Sequence, residues 1–174
     1  MKKLLLTVVA ASILSGCSVP ADLQGGAPMQ PVSKVVEFQG MKKDAIFNNS
    51  KIWVAKSFTS ANDVIQYADK EQGSIVGKGT MDYPCEGFND CLANAGATVK
   101  FTMKIDSKDD KARVTFSDFG FHRPASVSGG IVIPAEDYPV NQQRKINAIK
   151  PKLEKFIQEY SSQVKSQTVS DSSW

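Results

Sequence analysis

Histidine is almost absent from this 174-residue sequence: His122 is the only imidazole. No second histidine or paired cysteine motif stands near it to complete a three- or four-ligand metal site, so a metalloenzyme is not expected. There are three cysteines, too few for a disulfide-built scaffold. No charge of one sign dominates, because 21 Lys+Arg against 18 Asp+Glu leave +3, which does not mark a nucleic-acid binder. Long hydrophobic runs are missing too. The longest, Leu4–Leu14, covers about 16 Å at 1.5 Å per residue, roughly half of a ~30 Å hydrocarbon core. What is there, 41% hydrophobic and 22% charged, describes one folded domain with a single core.

That short run is informative in its setting. Lys2 and Lys3 precede it, and Ser15 and Gly16 end it, which is the layout of a secretory signal peptide over residues 1–16. The four residues Leu14-Ser15-Gly16-Cys17 resemble the lipobox of bacterial lipoproteins. The resemblance implies that the Cys17 sulfur receives a diacylglycerol and becomes the mature N-terminus. Ser18 stands where the lipoprotein pattern places Asp for inner-membrane retention, so the implied address is the outer membrane, on its periplasmic face. Each buried CH2 contributes about 0.8 kcal/mol, so several acyl chains on one residue suffice to hold a protein on a bilayer. An exported, lipid-held domain does not meet chromosomal DNA, and no nucleic-acid partner is expected.

With Cys17 assigned to lipid, Cys85 and Cys91 remain as an even pair in a turn-rich stretch, and an oxidising compartment predicts a disulfide between them. Residues 18–31, rich in Pro, Gly, Ala and Gln, read as a flexible tether, and residues 166–174 as a frayed polar tail. The folded domain is expected over residues 32–165.

Within it, Val32, Val36 and Phe38 predict a short strand ending at Gly40. A helix is expected from Met41 to about Phe58, with apolar residues on two nearly opposite sides: Met41, Ala45 and Ile52 against Phe47, Val54 and Phe58. Two strands, 64–69 and 74–82, follow around a turn at Gly73. Ala97, Val99, Phe101, Met103 and Ile105 alternate with polar residues in the clearest strand of the chain, and a charged turn through Asp109-Asp110 leads to its partner at about 111–119. The long stretch 120–140 reads as a hidden extra strand or a binding loop. Ile146, Ile149, Leu153, Phe156, Tyr160 and Val164 mark a closing helix, which either kinks at Pro151 or begins its main part there.

The fold class that follows is α+β: an antiparallel sheet of about five strands with one apolar face covered by two helices. Gly40, Ile46, Trp53, the run Val64-Ile65-Gln66-Tyr67, Asp69, Gly73, Ile75, Gly77 and Gly79 resemble an uncharacterised bacterial domain described as having a TATA-binding-protein-like fold. The resemblance spans roughly Val32 to Val164. It implies the same order of strand, helix, four strands and helix, and implies no activity.

No residue set satisfies the needs of catalysis, and no cofactor is expected. The segment Gly73–Thr80 has glycines but lacks the spacing and the hydroxyl of a phosphate loop; Gly77 and Gly79 are better explained by close packing of a helix. His122 lacks an evident nucleophile, with Asp118 or Glu136 as possible orienting acids. Asp109-Asp110 fits a turn that hydrogen-bonds its own backbone. Phe119, Phe121, His122 and Arg123 form the candidate binding surface: the side of the strand carrying Thr115 and Ser117 is extended by the two aromatics, either packed under the 120–140 loop or open as a peptide or glycan platform. From Asn141 to Lys165, six Lys+Arg against two Glu make the last helix basic, a solvated face or a surface for anionic lipid. The functional expectation is a non-catalytic envelope module that binds a protein, peptide or glycan. A hydrolase using His122 and a membrane-surface sensor acting through the basic helix are the alternatives.

Overall fold

The computed structural model describes residues 25–58 and 65–171. The expected signal segment, Cys17, residues 18–24 of the expected tether and the last three residues of the expected tail lie outside the described residues. The elements run β1 (Val32–Glu37), α1 (Lys43–Ser57), β2 (Ile65–Asp69), β3 (Ser74–Asp82), α2 (Gly87–Ala93), β4 (Thr98–Lys108), β5 (Lys111–Arg123), β6 (Ser126–Ser128), β7 (Ile131–Ile133), β8 (Glu136–Pro139) and α3 (Gln143–Asp171). Strands β1-β5-β4-β3-β2 form an antiparallel sheet in that order, and β8 adds to β5 beyond the end of β1.

Alternation in β4 does what its sequence predicts. Val99, Phe101, Met103 and Ile105 are buried under the helices, while Lys100 and Lys104 face solvent. In α1 the buried residues are Ile46, Phe47, Asn49, Ser50, Trp53 and Val54, one broad face at helical spacing rather than two opposed stripes, and Ile52 is exposed. The buried polar pair explains the blurred pattern. Asn49 Nδ2 donates to the Val164 carbonyl (3.1 Å), and Ser50 Oγ lies 2.8 Å from the Tyr160 hydroxyl, so α1 is stitched to α3 through polar atoms that a hydrophobic count misses.

The hairpin turn between β4 and β5 also has a different task from the one expected. Asp110 adopts φ 65° and its Oδ1 accepts from Gly40 N (2.7 Å), while Asp109 Oδ1 accepts from Lys43 N (2.8 Å). The carboxylates clamp the β1–α1 connection and supply a cap that Lys42, at the N-cap position of α1, does not provide. Asp109 is held below the usual carboxylate range chiefly by the Lys43 N–H, with the Lys42 charge adding to it.

Three boundaries move. Gly26 N donates to the Asn141 carbonyl and Met29 N to the Val140 carbonyl, and Met29 is buried, so residues 25–31 pack on the domain instead of trailing as a tether. At the other end α3 continues to Asp171, so residues 166–171 are helical instead of frayed. Pro151 lies inside α3, whose start at Gln143 shows that the helix passes through it. Gly79 does favour close packing, but of rings: a Cβ there would lie 2.6 Å from Phe101 and 3.3 Å from Phe58.

Candidate binding face

With α1 and α3 on one side, the sheet presents its other side to solvent. Strand register puts Ser74, Val76, Lys78, Thr80 and Asp82 of β3 across from Asp106, Lys104, Thr102, Lys100 and Thr98 of β4, and these across from Arg113, Thr115, Ser117, Gly120 and His122 of β5. The open face is therefore a lattice of hydroxyls and alternating charges. Ser74 Oγ donates to Asp106 (3.1 Å), Lys104 pairs with Asp106 (2.9 Å), and Ser33 on β1 hydrogen-bonds Thr115 (2.9 Å). These partners fix side-chain directions; Ser74, at the edge of the row, is buried, while Lys104 and Ser33 stay exposed.

The four candidate surface residues divide. Between Lys100 and Thr102 of β4 the register with β5 shifts, and Asp118 takes φ 54°, the signature of a β-bulge. One extra residue reverses the alternation, so Ala112, Val114 and Phe116 are followed on the buried side by Phe119 and Phe121. Phe121 is 0% exposed, edge-on to Tyr83 and stacked on Tyr138, both with centroids at 5.1 Å. Neither aromatic is a platform. They are core, and the expectation that they extend the Thr115/Ser117 side fails at the bulge.

Arg123 Nη2 donates to Glu136 on β8 (2.8 Å), which leaves it half-buried at the sheet end. His122 alone of the four lies on the open face. Its orienting acid is Asp137, not Asp118 or Glu136: His122 Nδ1 lies 3.2 Å from Asp137 Oδ1, the same oxygen that accepts from Lys100 Nζ at 3.0 Å. The Lys100 hydrogen bond is the main cause that lowers the Asp137 pKa, followed by His122. Asp137 is 63% exposed and, among the described residues, no hydroxyl or thiol hydrogen-bonds His122. A general base needs a nucleophile in reach, and what stands beside His122 instead is the Lys100–Asp137 ion pair. Nor do the described residues contain a cluster of three or more His, Cys, Asp and Glu fit for a metal ion.

The end of the sheet beyond β3 carries structure that the sequence does not announce. Cys85 and Cys91 are joined, as expected, but the loop they close is a short helix, α2. Asp90 in its first turn accepts from Glu86 N (2.9 Å) and lies 3.7 Å from Arg144 Nε at the start of α3. The signal was the carboxylate four residues after Glu86, able to reach back to an orphan N–H. Next to it, Lys145 is buried with its Nζ 4.6 Å above the Phe121 ring and hydrogen-bonded to Gln142 (2.8 Å). Burial lowers its pKa and raises that of Tyr83. Between the 26–33 segment and α3 runs a groove of about 750 Å³, lined in part by Met29, Asn141, Ile146 and Lys150.

Replacing both Cys85 and Cys91 with Ser is expected to cost about 2 kcal/mol, because the bridge closes a short loop. Urea unfolding checks it: reductant should lower the midpoint of the parent protein to that of the double variant and leave the variant unchanged.

A family model described as a domain of unknown function (DUF4468) with TBP-like fold matches residues 33–122, which is β1 through nearly all of β5. The chain belongs to the DUF4468 family. A solved TBP-like protein from Parabacteroides distasonis ATCC 8503 superposes with a TM-score of 0.60 at 16% identity, covering 79% of this chain and 96% of that one. A DUF4468 family protein from Bacteroides ovatus ATCC 8483 gives a TM-score of 0.54 at 14% identity, covering 82% and 88%. At such identities the likeness is one of fold. No curated protein matches the chain.

Proposed function

We propose that this DUF4468 domain is a non-catalytic module of the bacterial envelope, carried on a lipid at Cys17 on the periplasmic side of the outer membrane, which binds a peptide, glycan or protein through its open sheet face. The observation that carries the reading is the uncovered face itself, where rows of Thr, Ser and Lys from β3, β4 and β5 stand exposed or half-exposed. A sheet face this polar suits a partner that supplies hydrogen bonds, and His122, the best acid–base candidate in the sequence, is tied to Lys100 through Asp137. The lipid rests on the lipobox-like Leu14–Cys17 and the signal segment before it.

Two measurements test the two halves. Cys17→Ser is expected to move the protein from the membrane to the soluble fraction, and intact mass should show acyl chains on the parent protein alone. A photo-crosslinking residue at Lys104 or Thr80 should give a discrete adduct in cells that the same residue at Lys51, on the outer side of α1, does not. Equal labelling at all three positions overturns the binding face.

A further inference from the structure

We infer that the pole of the domain built from α2 and the β6–β7 hairpin sits in the lipid surface, with Phe88, Leu92, Val127, Ile131 and Val132 entering the bilayer interface. These are the five most exposed large hydrophobic residues among those described, at 80%, 66%, 71%, 70% and 70%. Apolar side chains this exposed are not scattered over the surface but gathered at one end. Phe88 and Leu92 are four residues apart in α2 and so share a helix face. Val127 and Val132 are cross-strand partners in a hairpin that turns through Gly129 and Gly130, both at positive φ, and that pairs with no other strand among the described residues. A two-stranded ribbon is marginal in water by itself, and here only Ile133 is partly covered while Val127, Ile131 and Val132 stay exposed.

Both features lie at the same end of the sheet. A Cβ on Gly96, just after α2, would lie 3.4 Å from Pro124, just before β6. Thr98, which opens β4, pairs with His122 near the close of β5. The path of the chain decides what covers this end. From β1 the backbone runs back past Val140 and Asn141 to a bridge between Gly25 and Gln142, directly before α3, whose Arg144 reaches the Glu86 carbonyl beside α2. Val140 N donates to the Phe119 carbonyl, four residues short of the end of β5, so Gly25 leaves the domain in the half nearer the apolar pole than the Asp109-Asp110 turn. Cys17 is eight residues farther on, a span of at most about 29 Å even when fully extended. A globule of this size has a radius of gyration of about 14 Å and is therefore wider than that span. A lipid on Cys17 holds this pole, and not the Asp109-Asp110 turn at the other, against the bilayer. The inference rests on the anchor proposed above and adds to it an orientation, in which the strands rise from the membrane and the open face looks sideways along it.

Tryptophan depth quenching tests it. In the acylated full-length protein with Trp174→Phe, reporters Val132→Trp or Phe88→Trp are placed in vesicles of phosphatidylethanolamine and phosphatidylglycerol carrying brominated acyl chains. Both should lose most of their emission, most strongly to bromines near the depth of about 5–10 Å at which interfacial apolar faces lie. Lys108→Trp, at the opposite pole, should lose none, and Trp53 is fully buried and contributes a constant background. Unquenched reporters in protein whose mass carries acyl chains overturn the docking and leave the anchor standing. A mass without acyl chains overturns the anchor and the docking with it. A blue shift that depends on protein concentration and ignores bromine means that a second copy covers the pole, which also overturns it.

Discussion

Trp53→Ala is expected to remove about 3–5 kcal/mol of stability, the range for deleting a large buried aromatic. Trp53 is 0% exposed at the centre of the α1–sheet–α3 sandwich, edge-on to Tyr160 with centroids at 5.1 Å and to Phe58 at 5.9 Å. Phe58 in turn meets Phe101 at 5.8 Å and Phe156 at 5.9 Å, so one indole supports an aromatic chain that joins α1, β4 and α3. Native domains hold only about 5–15 kcal/mol in total, so the loss is a large share of stability. The indole Nε1 is buried with no hydrogen-bond partner among the described residues. Trp53→Phe keeps much of the ring and removes that unsatisfied donor, and should therefore lose much less than the alanine variant. Urea unfolding followed by circular dichroism checks both. Equal losses for Phe and Ala would show that the indole N–H has a role which the packing does not display.

How much of this was legible in the sequence depends on whether local pattern and tertiary demand agree. They agree in β4, where a two-residue period needs only one covered face, and in α3, where Ile149, Leu153, Tyr160 and Val164 keep helical spacing and are buried as read. They part in α1, because Asn49 and Ser50 are buried by virtue of partners 115 and 110 residues away that no local window contains. They part again at residues 25–31, where backbone hydrogen bonds to Val140 and Asn141 order a segment whose Pro and Gly content looks like a linker.

The stretch 120–140 reads in sequence as either one extra strand or a binding loop, and it holds three strands. β8 joins the sheet through pairing with β5, whereas among the described residues β6 and β7 pair only with each other, which leaves no amphipathic pattern to read. The polar side of β4 announced the open face; the pole beside it was hidden because α2 was masked by the cysteines and because exposed Val and Ile imitate a buried strand.

Phe121→Ala separates a core aromatic from a binding one, and it too is expected to remove about 3–5 kcal/mol, with a fall in Tm of about 10 °C or more for a domain of this size. The ring lies between Tyr83 and Tyr138 and underlies the ammonium of Lys145, which also contacts Gln142 and, at 5.6 Å, the Tyr83 ring. Truncation leaves a void in that stack and takes away the aromatic face that compensates a buried cation. The neighbouring His122→Ala makes the control. It removes a side chain from the open face, and its partner Asp137 keeps Lys100, so the midpoint should stay close to that of the parent chain. The bulge at Asp118 is the physical reason that two adjacent residues should behave so differently, since it turns Phe121 inward and His122 outward. If Phe121→Ala unfolded at the parent's midpoint while His122→Ala was strongly destabilised, the phase of β5 would be opposite to the one described, and the aromatic platform would return as the better reading of this strand.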